Sequence, residues 1–500
     1  MKHRLKGLLA LVLSLVMVFA LATNAWAAVS IGNVELNQEN NYSVNGISGQ
    51  GTATYDSTTK TLTLNNFVYE GTYGITATDN LTIDLIGDNK ITYSSDSGNA
   101  SISIEGNLTI TSSDPSAKLT ADFDTTSSST KGGGIKATNL TIESGTVSAI
   151  AVGTNSHGIE ATNAVSITGG TVTAGSATDD GSGNVNYNSA FGIKAGSSIS
   201  ITGGTVTATG LDAIAIYEHT TTGTISISGA TTTVTANGGN SGIYAEGSVT
   251  ISSGKVTATA AEDDSCGIYG GNTITIGGDE SKKLEVNVGC KTGLAANTVN
   301  IAKGSTVTID STEDAISNSA TLNLGTGSRW YKWTDDKNAT TMNDSDFALS
   351  AYNGNSPAYL KFEPLTYTVK FNANGGSGTM ADVTGVSGNY TLPANGFNAP
   401  VGDEFFGWSV DPAGAERKLP GDTMQITRDT TVYAIWKYAT LGNQGGGYPG
   451  TPQPPSIYIP TVEDEPEVTT PNTFDGGIAS AVVVTILSAT GGAWLAKKKD

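Results

Sequence analysis

The chain has 500 residues, a formal net charge of −20 and only 14% charged residues. An acidic chain of this kind excludes nucleic acid as a partner and excludes docking on anionic lipid through a basic face. With Cys266 and Cys290 as its only cysteines, it also excludes a disulfide framework.

Residues 1–27 read as a secretory signal. Lys2, Arg4 and Lys6 precede the apolar run from Leu8 to Ala22, and Ala25-Trp26-Ala27 forms an A-x-A cleavage site. The mature chain is expected to start near Ala28, outside the cytoplasm. From Gly51 to Leu64 the sequence predicts two strands around a polar turn, and Leu81 to Gly87 and Leu108 to Ile110 read as further strands.

An internal repeat then dominates. Gly-Ile/Leu pairs begin at Gly134, Gly158, Gly192, Gly242, Gly267 and Gly293, and Ile-Thr-Gly-Gly-Thr-Val-Thr-Ala stands at both 167–174 and 201–208. The marker residues Ile75, Ile102, Ile135, Ile159, Ile193, Ile214, Ile243, Ile268, Leu294 and Ile316 are about 27 residues apart, one coil of a β-solenoid. Within a coil, apolar residues alternate with Thr or Ser, as in Leu140, Ile142 and Val147, the period of strands with one buried face. Antiparallel hairpins would not repeat side chains at one-coil spacing. The fold class is therefore all-β, with a parallel β-helix over 28–324 whose coils rise about 4.8 Å each. Asn80, Asn107, Asn139, Asn163, Asn272 and Asn297 recur at one corner and are expected to stack as a structural ladder.

The residue after each marker should face outward. With Ile216 in place of Ile214, that column reads Thr76, Lys136, Glu160, Lys194, Tyr217, Tyr244, Tyr269, Ala295 and Ser317. Two readings follow for the tyrosines. Tyr217, Tyr244 and Tyr269 offer apolar ring faces on which sugars stack, with Glu246, Asn240, Glu218 and Asn272 as flanking polar groups. Equally, the rings stack on one another for stability. Cys266 and Cys290 lie one coil apart but two positions out of register, which leaves a disulfide and two buried thiols as alternatives. Asp179-Asp180, Glu262-Asp263-Asp264, Asp310 and Glu313-Asp314 sit at corners without a calcium-loop spacing. They read as solvated turns and leave calcium as the one open cofactor. His157 is expected to be an exposed turn residue. No nucleophile or metal-ligand motif is present, and no Arg lies between Lys6 and Ser328.

Residues 325–365, crowded with aromatics such as Trp330, Trp333 and Phe347, are expected to cap the open end of the helix. Residues 366–437 read as a small β domain with a Trp/Phe core. Residues 438–474 form a Pro/Gly-rich linker. Ile478 to Ala496 is an apolar, uncharged run of 19 before Lys497-Lys-Lys499, and predicts a transmembrane anchor over 475–500.

Three resemblances add to this. The order Tyr367 to Gly376, Gly378-Thr-Met380, Phe405 to Trp408, Pro420-Gly421 and Asp429 to Trp436 resembles the Listeria–Bacteroides (internalin-type B) repeat. That resemblance implies a β-grasp-like surface module without catalytic residues. The tail resembles a Gram-positive sorting signal, although Thr470-Pro471-Asn472-Thr473-Phe474 departs from Leu-Pro-x-Thr-Gly at both ends. The departure puts sortase cleavage in doubt while leaving membrane attachment. Thr54 to Leu64, the Gly-Ile coils and Tyr359 to Pro364 resemble the β-helical carbohydrate-binding-domain proteins of gut Gram-positive bacteria. Together they lead us to expect a monomeric, non-catalytic adhesin on a Gram-positive cell surface, binding extracellular glycan or a neighbouring cell. The alternatives are a β-helix polysaccharide lyase or glycoside hydrolase, and a structural stalk.

Overall fold

The computed structural model describes residues 28–94, 99–124, 132–152, 156–177, 191–210, 214–262, 265–278, 284–302, 304–325, 331–343, 347 and 356–439. The expected signal, almost all of the linker and the expected anchor lie outside the described residues, as do Asp179, Asp180, Asp263 and Asp264. Among the described residues, no helix is long and apolar enough to cross a membrane.

The chain winds as a parallel β-helix with three strands per coil. One coil illustrates the rest: Phe191–Ala195, Ser198–Ile201 and Thr205–Gly210. Each pairs in parallel with its equivalent in the next coil, Ile214–Glu218, Thr224–Ile227 and Thr233–Gly238. Marker Ile193 lies beside Ile159 on one side and Ile216 on the other, so Ile216 is the rung and Ile214 is not. Ile167, Ile201, Ile227, Ile251 and Ile276 stack in the second sheet, and Val172, Val206, Val234 and Val256 in the third. All of them are buried. Alternation places every second side chain inside, and each fully buried Ile or Val contributes about 1.5–3 kcal/mol. A parallel sheet needs this long return path between partners, which the other two strands of the coil supply.

Corners are set by residue chemistry. In Ile-Thr-Gly-Gly-Thr the second glycine is left-handed, with φ +77° at Gly170 and +79° at Gly204. A Cβ on Gly170 would also lie 2.5 Å from the Gly145 carbonyl oxygen of the coil below. The asparagine ladder forms over part of its length. Asn163 donates to Asn139 Oδ1 (2.7 Å) and Asn139 donates to Asn107 Oδ1 (2.6 Å), while the Asn107 backbone N–H donates to Asn80 Oδ1 (2.8 Å). Ser197 ends it by donating to Asn163 Oδ1, and Asn272 and Asn297 instead donate to the carbonyls of Thr221 and Gly271.

Both open ends of the helix meet antiparallel strands. Val29–Ile31 runs antiparallel to Ile75–Ala77, and Thr52–Asp56 and Thr61–Asn65 form the hairpin at the entry. At the exit, Tyr359–Pro364 lies antiparallel to Thr306–Ile316 and pairs in turn with Tyr331–Thr334. Phe362 is fully buried there, with Phe347 edge-on at 5.4 Å. Both cysteines are free thiols. Cys266 sits beside Thr292 and Cys290 beside Ser311, the two-residue offset that keeps the pair apart. Burial pushes the Cys290 thiol up to about 12, and its Sγ donates to the Thr292 carbonyl at 2.8 Å.

Residues 367–438 build a separate core. Tyr367–Asn372, Val383–Val386, Asp403–Ser409 and Thr430–Tyr438 form a four-stranded mixed sheet, and Gly388–Thr391 pairs with Thr423–Ile426. Trp408 fills the centre with no exposed surface, ringed by Phe371, Phe397 and Phe405, and its Nε1 donates to the Pro393 carbonyl at 2.9 Å. Burial of an indole requires such a partner for its N–H.

Candidate functional site

The outward column of the first sheet is the most distinctive surface of the solenoid. In register it runs Thr76, Ser103, Lys136, Glu160, Lys194, Tyr217, Tyr244, Tyr269 and Ala295. Glu160 bridges Lys136 (3.5 Å) and Lys194 (3.4 Å). Such partly exposed pairs contribute about 0–1 kcal/mol each.

Above the charges the rings begin. Phe191 stacks on Tyr217 with centroids 4.6 Å apart and planes 14° apart. Tyr217 meets Tyr244 at 5.5 Å and 59°, and Tyr244 stacks on Tyr269 at 4.3 Å and 16°. His157 extends the row below Phe191 at 5.0 Å. The result is a ridge of five rings, each half-buried except His157, which is 7% exposed. The spacing is dictated by the fold: coils rise about 4.8 Å, close to the preferred separation of offset-stacked rings. The ridge turns most ring faces toward one another. What the ridge leaves exposed along most of its length is ring edges and hydroxyls.

His157 is not an exposed turn residue. It lies in the strand His157–Ile167, its Nδ1 accepts from the Phe191 backbone N–H at 3.4 Å, and its Nε2 is 3.5 Å from Lys194 Nζ. Burial first, and the Lys194 charge second, hold its pKa down to about 4. Burial alone would raise the Glu160 carboxyl, but His157, Lys136 and Lys194 outweigh it and the net shift is downward.

Glu218 departs from its expected flanking role. Parity places it inside, on the rung of Ala195 and Ala245, with no exposed surface. Oε1 accepts from the Thr220 N–H (2.6 Å) and hydroxyl (2.7 Å), while Oε2 has no partner. His219, one residue on, accepts or donates with the Tyr217 hydroxyl. Glu246 is half-buried at the same corner one coil later, close enough to raise the pKa of both Tyr217 and Tyr244, after burial. For Tyr244 the result is about 12. Asn240 stands at the entry to Ser241–Ala245 with its Oδ1 accepting from the Ser241 hydroxyl at 3.1 Å, and Asn272 is occupied by Thr221. Phe191 and His157, two residues before their markers, were the members that the column rule missed. A signal was present in Phe191-Gly192-Ile193, an aromatic ring two positions before the marker and in register with His157 one coil below.

Among the described residues, no group of three His, Cys, Asp or Glu side chains could hold a metal ion. Asp310 is paired with Lys337, and Glu313 with Lys291 at 3.6 Å. A cleft of about 740 Å³ lies in the small sheet domain, with Trp408, Val432, Arg428, Asp429 and Lys418 among its lining residues. Comparison of the chain with known proteins found no matching family model, no matching curated protein and no matching solved structure.

Proposed function

We propose that the chain is a non-catalytic adhesin of a Gram-positive cell surface, whose solenoid binds extracellular glycan along the aromatic ridge. In this reading the signal sends it out, the β-grasp-like repeat domain and linker lift it, and the apolar tail holds it at the membrane. The observation that carries the reading is the ridge itself: Phe191, Tyr217, Tyr244 and Tyr269 are half-exposed rings in a row beside His219 and Glu246, with His157 buried at its lower end. Rings placed outward in a row cost apolar exposure that a folded chain avoids without a use for it. The stacking of faces favours a second reading, a structural stalk stabilised by its own ladder. Glycan-array binding of the full chain, with and without EDTA, separates the two, while assay of released sugar tests the lyase or hydrolase alternative. Binding without release is expected, and no binding would leave the stalk.

A further inference from the structure

One contact within the ridge joins two groups of the same oxidisable chemistry. Tyr244 and Tyr269 stand on neighbouring coils, in register in the parallel strands Ser241–Ala245 and Cys266–Ile276. Parallel in-register pairing sets like atoms over like, and the two phenols stack at 4.3 Å with planes only 16° apart. Tyr217 meets Tyr244 at 5.5 Å and 59°, which turns its ring out of that alignment. Phe191 and His157, the other rings of the row, carry no phenol. Tyr244 and Tyr269 are both half-exposed on the outer face, so an oxidant in solvent reaches them. The Tyr269 hydroxyl also lies close enough to Tyr244 to help raise its pKa, after burial and Glu246.

We propose that Tyr244 and Tyr269 are a modification site, joined by oxidative coupling into an intramolecular dityrosine that staples two coils of the solenoid. This goes beyond the adhesin reading and does not rest on it. The oxidant is hydrogen peroxide, used by a haem peroxidase. Each phenol gives up one electron and its hydroxyl proton. A turn of the half-exposed rings about their side-chain bonds brings the two phenoxyl radicals together, and a bond forms between the carbons ortho to their oxygens. The hydrogens on those carbons then shift to oxygen, which restores both phenols. The protein thus loses two electrons and two protons, and one peroxide takes them up as two waters. Glu246, which acts on the Tyr244 hydroxyl, is the neighbouring carboxylate that accepts a released proton. In a chain whose two cysteines are free thiols, this bond ties coil to coil without a disulfide. It closes the loop from Tyr244 to Tyr269 and so restricts the unfolded chain.

The test treats the full chain with hydrogen peroxide and a haem peroxidase. Tyr244→Phe and Tyr269→Phe keep a ring in the stack but cannot form the radical, and Tyr73→Phe changes an exposed tyrosine outside the ridge. We expect dityrosine fluorescence in the monomer band of a denaturing gel, a mass loss of two hydrogen atoms, a linked peptide pair containing Tyr244 and Tyr269, and a raised thermal midpoint. Tyr244→Phe and Tyr269→Phe should each lose most of the monomer signal, and Tyr73→Phe should keep it. A monomer signal undiminished in either folded variant of the pair, a linked pair made of Tyr217 and Tyr244, or dityrosine confined to dimers would overturn the assignment. So would a silent monomer at a dose that couples free tyrosine in the same tube. An unchanged midpoint in the linked protein would refute the staple. Glycan binding is not read, so failure of the adhesin reading leaves this outcome untouched.

Discussion

A single histidine ties the ridge to acid stability. His157 is packed between Phe191, Lys194 and Glu160, and Lys136 faces the same carboxylate from the coil below. Its pKa is about 4 in the fold against an ordinary 6.5, so the folded state binds its proton less tightly than the unfolded chain. The stabilisation is complete above 6.5 and is lost as pH falls toward 4, amounting to about 3 kcal/mol at full effect. Glu160, with its lowered pKa, adds to the loss at the acid end of that range. Urea unfolding at a series of pH values should show stability falling from pH 6.5 downward, and His157→Phe should flatten the upper part of that slope. A wild-type profile already flat between 6.5 and 4.5 would contradict the burial argument.

At the scale of the strand and its corner, close backbone approach decides what each position accepts. A Cβ on Gly158 would stand 2.4 Å from the Gly175 backbone nitrogen and 2.6 Å from the Ala149 carbonyl oxygen, across the narrow interior of the coil. Gly158→Ala should therefore destabilise the protein by about 1–3 kcal/mol through overpacking, measured as a lowered urea midpoint. An unchanged midpoint would mean that the facing strands give way freely. Elements of this kind were readable to different depths in the sequence. The Ile and Val columns were legible because period two and a fixed coil length together specify register, and they also identified Ile216 as the rung of Tyr217. The asparagine ladder was legible only where the corner keeps one length. It holds from Asn80 to Asn163 and lapses where Asn272 and Asn297 meet carbonyls instead. Glu218 was misread by sequence proximity, although parity alone sends it inward beside Ala195 and Ala245. The tilt of the rings could not be read at all. Alternation fixes which way a side chain leaves the strand, and contact with its neighbours fixes how the ring then turns.

For the molecule as a whole, the ends matter as much as the coils, because a stack of parallel strands terminates in unpaired N–H and C=O groups. Tyr359–Pro364 covers the strand Thr306–Ile316, held by Leu360 and Phe362, both fully buried. Phe362→Ala should cost about 3–5 kcal/mol and loosen this cover. Light scattering should then report self-association through the uncovered edge. A monodisperse variant of normal stability would show that the aromatic cluster is dispensable to the cap.

The same stacking sets how the solenoid answers a pull. Backbone hydrogen bonds between coils lie along the helix axis, so tension on its two ends loads them one rung at a time, like the teeth of a zipper. A coil such as that from Leu81 to its partner Leu108, 27 residues on, occupies one rung while folded. Released, it pays out about 90 Å of extended chain in place of a rise near 4.8 Å. Each yielding coil thus lengthens the chain nearly twentyfold over its folded rise and lowers the peak force carried by the coils that remain. A solenoid built this way bears load by giving ground.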